Sequence, residues 1–227
     1  MASKKQQIDF SELINQVHNY DLNSFSREIY LHSHYGSSLP EEEGGIEYRM
    51  ATQFVKNLHL LDAHSQENIL VHLQSPGGDW THGMAMFDAI KAAKSTINIL
   101  AHGEISSMSS ILFQAASKRI MMPSCEFMIH RGFLSVEGVA TTVQAIADWN
   151  KKTDQSMLEI YANRAVNGIF FRSKGMDRHQ TIKYIDQKIR TLGDWILSAT
   201  DAVHYGLADG VFGSKDYESL EVIRSSE

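Results

Sequence analysis

From Arg27 onward the chain alternates short apolar runs with apolar residues at helical spacing. REIYLHS (27–33) reads as a strand, and SSLPEEEGG (37–45) as a loop before a helix carrying Met50, Phe54, Leu58 and Leu61. NILVHLQ (68–74) has the continuous apolar character of a buried strand and runs straight into Ser75-Pro76-Gly77-Gly78. A helix from about His82 to Ala93 follows, with Met86, Ile90 and Ala93 on one face. The strand TINILAH ends at His102, and a further helix starts near Ser107. A short strand around Arg119–Met122, a turn at Pro123 and Ser124, and the strand EFMIH ending at His130 complete the alternation. Such a pattern predicts an α/β domain whose parallel strands are joined by helical crossovers.

Residues 136–165 contain no Pro and place Val139, Val143, Ile146, Met157 and Ile160 at helical spacing, which predicts one extended helix. At 1.5 Å per residue it would be roughly 45 Å long and overhang a domain of this size, so its exposed stripe calls for a partner copy. Ser198 and Asp201 resemble a capping box that opens a short helix before YGLADGVFG. Residues 1–24 are polar with Phe10, Leu13, Ile14 and Val17 scattered among them, a pattern open to either a short amphipathic helix or a mobile arm. The expected organisation is an arm (1–24) and one domain (25–227).

Composition narrows the function classes. With 227 residues, 43% of them hydrophobic, the chain can bury one substantial core. A formal net charge of −6 without any basic block argues against nucleic acid as partner. Cys125 is the single cysteine, which excludes an internal disulfide and a thiolate metal cluster and suggests a reducing compartment. The first residues lack the apolar core of a signal peptide, and no apolar run approaches the ~18–20 residues a bilayer span needs. The expectation is a cytoplasmic protein with no membrane segment and no metal.

Three predicted strands end in residues that could serve acyl chemistry: LVHLQ in SPGG, INILAHGE in ISSMSS, and FMI in His130. Peptide hydrolysis by a serine needs a hydroxyl, an imidazole to take its proton, a carboxylate to hold the imidazole, and N–H donors for the oxyanion. Each candidate also has a bland reading. Serines at a strand-to-helix step commonly cap the helix. Gly77 and Gly78 could form an ordinary turn, or could let a substrate approach the backbone closely. A lone strand-end His is commonly structural, and Asp194 could be a helix-start acid.

Taken in order, four segments resemble a known family. SPGGDWTHGMAMFDAI is similar to its SPGG strand-turn-helix, GEISSMSS to its G-x-A-A-S-M-G-A nucleophile motif, and MIHRG to its M-I-H-Q-P histidine motif. DWILSATDAVHYGLADGV is similar to its D-R-F-x-S-A-x-E-A-x-x-Y-G-L-I-D segment. The family is ClpP, the proteolytic subunit of the ATP-dependent Clp protease, and the likeness spans roughly residues 27–212. It implies a crotonase-like repeated βαβ core with a long protruding handle helix. It also implies Ser107 as nucleophile, His130 as general base, Asp194 as the orienting carboxylate, and the N–H groups of Gly78 and Met108 as oxyanion donors. Gly77, Leu134 and Val136 would meet the substrate, with the strand after His130 pairing to an extended peptide.

The chain departs from the pattern in places, as a divergent or virus-encoded member would. Ile105-Ser106 and Ser109-Ser110 replace small residues around the nucleophile; the Ser-Met register selects Ser107, leaving Ser106 and Ser109 to cap or bond locally. Arg131-Gly132 replaces Gln-Pro, and 166–190, containing VNGIFFRSKGM, forms an extra segment. By the resemblance the subunit needs no cofactor, ATP being used only by a partner AAA+ unfoldase. The expected assembly is a homo-oligomer of two stacked heptameric rings acting on unfolded polypeptide. An ATP-independent maturation protease and an inactive ring subunit are the alternatives.

Overall fold

The computed structural model describes residues 9–32 and 44–225; the arm residues 1–8 and most of the loop expected at 37–45 lie outside them. The chain opens with α1 (Phe10–Tyr20), β1 (Leu22–Asn23), β2 (Glu28–Leu31) and α2 (Tyr48–His64). Then come β3 (Ile69–Ser75), α3 (Trp80–Ala92), β4 (Ile97–Ser106), α4 (Met108–Phe113), β5 (Lys118–Met121) and β6 (Glu126–Ile129). The long α5 (Ala140–Ala165) leads through α6 (Ile169–Ser173) and α7 (Arg178–Leu192) to β7 (Trp195–Ser198), α8 (Ala199–His204), β8 (Gly210–Val211) and α9 (Leu220–Ser225).

This is the mixed α/β class that the alternation implies. The sheet runs β1-β2-β3-β4-β5-β8, parallel from β2 onward, with β1 antiparallel at the edge. Because alternate residues of a strand face opposite ways, Ile69, Val71 and Leu73 join the main core. Leu70 instead packs with Leu100, Ile120 and Ile223 beneath α9. The main core holds Phe54, Phe113, Phe127, Tyr161 and Phe171, all essentially sealed from solvent.

The branch in the sheet matters most for the site. β4 runs to Ser106, four residues past the expected end at His102. His102-Gly103-Glu104 breaks the apolar run, yet Gly103, at φ +51°, carries the strand through a bend. The first half of β4 pairs with β5, and its second half, Glu104–Ser106, pairs with β6, which in turn carries β7 antiparallel.

One further boundary differs from expectation, and two segments that the sequence left open take definite form. α5 begins at Ala140 rather than 136, after Val139 turns extended. Its 26 residues span about 39 Å, and only the C-terminal part (Met157, Leu158, Tyr161, Ala162, Ala165) is buried, while Val139 and Trp149 stand exposed. Residues 10–20 take the helical option, with Asp9 capping Ser11 N–H. The segment after α5 folds as two helices: Phe171 is fully buried and Phe170 packs on Tyr184 and Tyr205, so this pair covers core. Ser198 accepts from Asp201 N–H as the capping pattern requires.

Candidate active site

Strand register assembles the site. Ser106 lies opposite Met128 in the β4–β6 ladder, and Ser107 N–H continues it by donating to Met128 O at 3.0 Å. On the other side of β6, Ile129 pairs with Trp195. One step beyond these pairs, Ser107, His130 and Asp194 leave three adjacent strand ends together. His130 Nε2 lies 2.8 Å from Ser107 Oγ and His130 Nδ1 lies 3.1 Å from Asp194 Oδ1. Asp194 therefore precedes a strand and does not start a helix. The sequence reading had no strand at 195–198.

Ser107 sits in a turn that few residues tolerate. Its φ of +54° and ψ of −123° place a non-glycine residue in a sparsely populated region, which costs about 1–3 kcal/mol. The surroundings enforce it. Ser110 Oγ lies 2.7 Å from Ser107 O, 2.8 Å from Met128 O and 2.7 Å from the buried Tyr161 hydroxyl. Ser109 Oγ reaches Ser75 O and Ser106 O, both at 2.7 Å. Ser107 itself makes no capping bond to α4; its hydroxyl faces the imidazole instead. Ser106 turns to Glu104 at 2.8 Å, away from the imidazole.

The glycine pair explains itself by close approach. A Cβ on Gly77 would fall 2.6 Å from Ser107 Cβ and 2.8 Å from Ser106 O, and its φ is +110°. A Cβ on Gly78 would fall 2.2 Å from Ile46 O, because Ile46 N–H donates to Gly77 O at 2.6 Å and Asp79 N–H to Ile46 O at 2.9 Å. The N–H groups of Gly78 and Met108 have no protein acceptor among the described residues, and both residues line a cleft of about 480 Å³ with Ser107 and His130. The free N–H groups and the start of α4 suit a developing negative charge.

The cleft is completed by Trp80, Ile111, Gly132, Phe133, Leu134 and, from α5, Asn150, Thr153, Asp154 and Met157. Of the residues expected to meet substrate, Leu134 lines it. Gly77 lies behind the turn with its N–H on Ser75 Oγ and its carbonyl taken by Ile46, and Val136 is outside the cleft. Among the described residues no strand forms after His130, and residues 130–137 have no ladder partner.

Sequence reasoning missed Tyr161, Ser110 as an anchor, and the whole α5 wall. The helical spacing of Met157 and Tyr161 was the only signal available for that wall. Burial pushes the Cys125 thiol up to about 12, so it offers no competing thiolate. Among the described residues no group of three or more His, Cys, Asp or Glu is arranged to hold a metal ion, and no helix is long and apolar enough to cross a membrane.

Comparison with known proteins points the same way as the motifs. A family model described as Clp protease matches residues 42–215. The chain is similar to the ATP-dependent Clp protease proteolytic subunit of Carsonella ruddii (strain PV), 32% identical over 149 residues that cover 62% of this chain and 77% of that protein. It is also similar to the protein of the same name from Ligilactobacillus salivarius (strain UCC118), 29% identical over 175 residues, covering 76% and 81% respectively.

Proposed function

The chain belongs to the Clp protease family, and from that premise we propose that it is a serine endopeptidase with Ser107 as nucleophile. Ser107 Oγ attacks the scissile carbonyl while His130 Nε2 takes its proton. Asp194 holds the Nδ1–H tautomer and stabilises the imidazolium. The oxyanion is received by the N–H groups of Gly78 and Met108. The imidazolium returns its proton to the leaving amine, and water hydrolyses the acyl-enzyme by the same route in reverse. The observation that carries this reading is the continuous chain from hydroxyl to imidazole to carboxylate at 2.8 and 3.1 Å.

The subunit works without a cofactor of its own, in the cytoplasm, as a homo-oligomer of two stacked heptameric rings fed with unfolded polypeptide by an ATP-consuming AAA+ partner. The exposed Trp149 on the projecting half of α5, and the exposed Val139 just before that helix, support self-association. A closed chamber would also keep the nucleophile from folded proteins.

The test is the full-length Ser107→Ala variant against a fluorogenic peptide and a fluorophosphonate probe. Loss of both signals, with native mass unchanged, is expected. Retention of either removes Ser107 from its role.

A further inference from the structure

His130 is the first residue beyond the β6–β7 ladder. Ile129 and Trp195 close the pairing, and residues 130–137 belong to no helix or strand. Backbone released from a ladder opens at little cost, and a base displaced by an ångström loses its bond to the hydroxyl. The next residue supplies a tie. Arg131 donates through Nη1 to Asp154 Oδ2 on α5 at 2.7 Å and through Nη2 to Asp186 on α7. Asp186 also accepts from Arg190 Nε at 2.8 Å.

One guanidinium therefore joins the segment after His130 to two helices. The side chains of Arg131, Asp154 and Asp186 are 33%, 18% and 25% exposed, so these pairs are screened less than surface ones. Arg131 Nε is buried with no partner among the described residues, a cost that the two carboxylates must outweigh for the side chain to stay where it is. Asp154 stands next to Thr153 and one turn before Met157, both of which line the cleft opposite Gly132, Phe133 and Leu134. The tie thus spans both walls.

We propose that Arg131 is a positioning residue: held by Asp154 and Asp186, it fixes the backbone after His130 so that the imidazole stays on Ser107 Oγ and the loop at 132–134 stays facing α5. This rests on reading Ser107 and His130 as nucleophile and base. Arginine is required because a planar fork can serve two carboxylates on different helices at once, whereas an ammonium is a point charge that follows one of them.

The test uses the full-length Arg131→Ala, Arg131→Lys, Asp154→Asn and Asp186→Asn variants beside Ser107→Ala. Fluorophosphonate labelling rate, peptide kcat and KM, native mass and thermal unfolding are recorded for each. Arg131→Ala should keep native mass yet label about 10- to 100-fold more slowly, kcat falling by a larger factor than KM rises. Millimolar methylguanidine should restore part of that rate, and Arg131→Lys should recover only a fraction. Should Arg131→Ala fail to fold, the two Asn variants decide, each expected to slow labelling with native mass retained. A wild-type rate in the folded variants, or a loss that tracks native mass and is not relieved by methylguanidine, overturns the assignment. Ser107→Ala that still labels would fail the underlying reading instead, so the two failures are distinguishable.

Discussion

Ile129 and Trp195 are register partners, and that single pairing sets His130 Nδ1 3.1 Å from Asp194 Oδ1. The two residues following and preceding the pair leave the ladder side by side, so the carboxylate arrives behind the imidazole through strand geometry. Asp194→Asn keeps the shape but offers the ring an amide in place of a carboxylate, favouring the wrong tautomer. The Asp194 side chain is 60% exposed, so water will substitute in part. The expected result is a fall in kcat of about 10²–10³-fold with little change in KM, read from steady-state peptide cleavage.

Gly77 and Ser107 approach so closely that no side chain fits between them. Gly77→Ala would place a methyl 2.6 Å from Ser107 Cβ at a φ of +110°, and neither the strand end nor the turn can move away without breaking the bonds that hold them. Destabilisation by about 2–4 kcal/mol is expected in urea denaturation, together with loss of fluorophosphonate labelling. Gly132→Ala, with open space around the added carbon, should leave the denaturation midpoint unchanged.

The strands flanking the site were readable to the degree that they are buried on both faces. Ile69–Leu73, interrupted by His72, and Phe127–Ile129 give apolar runs, and their ends point to Gly77, Gly78 and His130. β7 was not readable: four residues alternating buried and exposed, preceded by Gly193-Asp194, mimic the start of a helix. The continuation of β4 was hidden for a similar reason, since His102-Gly103-Glu104 looks like the end of a strand while Ile105 and Ser106 return to the core. Local sequence could not decide whether the Ser107 hydroxyl caps α4 or bonds an imidazole, because His130 is 23 residues away. The family motifs paired Ser107 with His130, and the structure sets the two side chains 2.8 Å apart.

Ser110 and Tyr161 tie the Ser107 turn to the buried end of α5. Ser110 has one hydroxyl proton and two carbonyls within reach, Ser107 O and Met128 O; when that proton goes to a carbonyl, the 2.7 Å contact requires Tyr161 to donate. Burial pushes the Tyr161 phenol up, so the donor persists across the working pH range. Tyr161→Phe should cost about 1–2 kcal/mol in chemical denaturation. In a double-mutant cycle with Ser110→Ala the two losses should be less than additive, since each variant removes the same bond.

His72 and His102 share one face of neighbouring strands β3 and β4, and His32, just past the end of β2, crowds against them. His72 Nδ1 lies 3.1 Å from His102 Nε2, the His32 and His102 rings are 5.8 Å apart, and Tyr30 stacks on His72. Glu28 lies on the far side of His72 at 3.8 Å, already engaged by Arg224. Burial, reinforced by His72 and His32, lowers His102 to about 4 from the usual 6.5. A base whose folded value is depressed is neutral in the native state while the unfolded chain binds a proton, so stability rises with pH across this interval. The penalty is absent above about pH 6.5 and grows as the pH drops toward 4, because the unfolded chain takes up the proton first. Replacing the imidazole by an amide in His102→Gln should therefore flatten the stability-versus-pH curve between 6.5 and 4, and leave it parallel to the wild-type curve above 7. Urea midpoints measured across that range would show it; equal slopes for the two proteins below pH 6 would mean that the histidine does not titrate in this way.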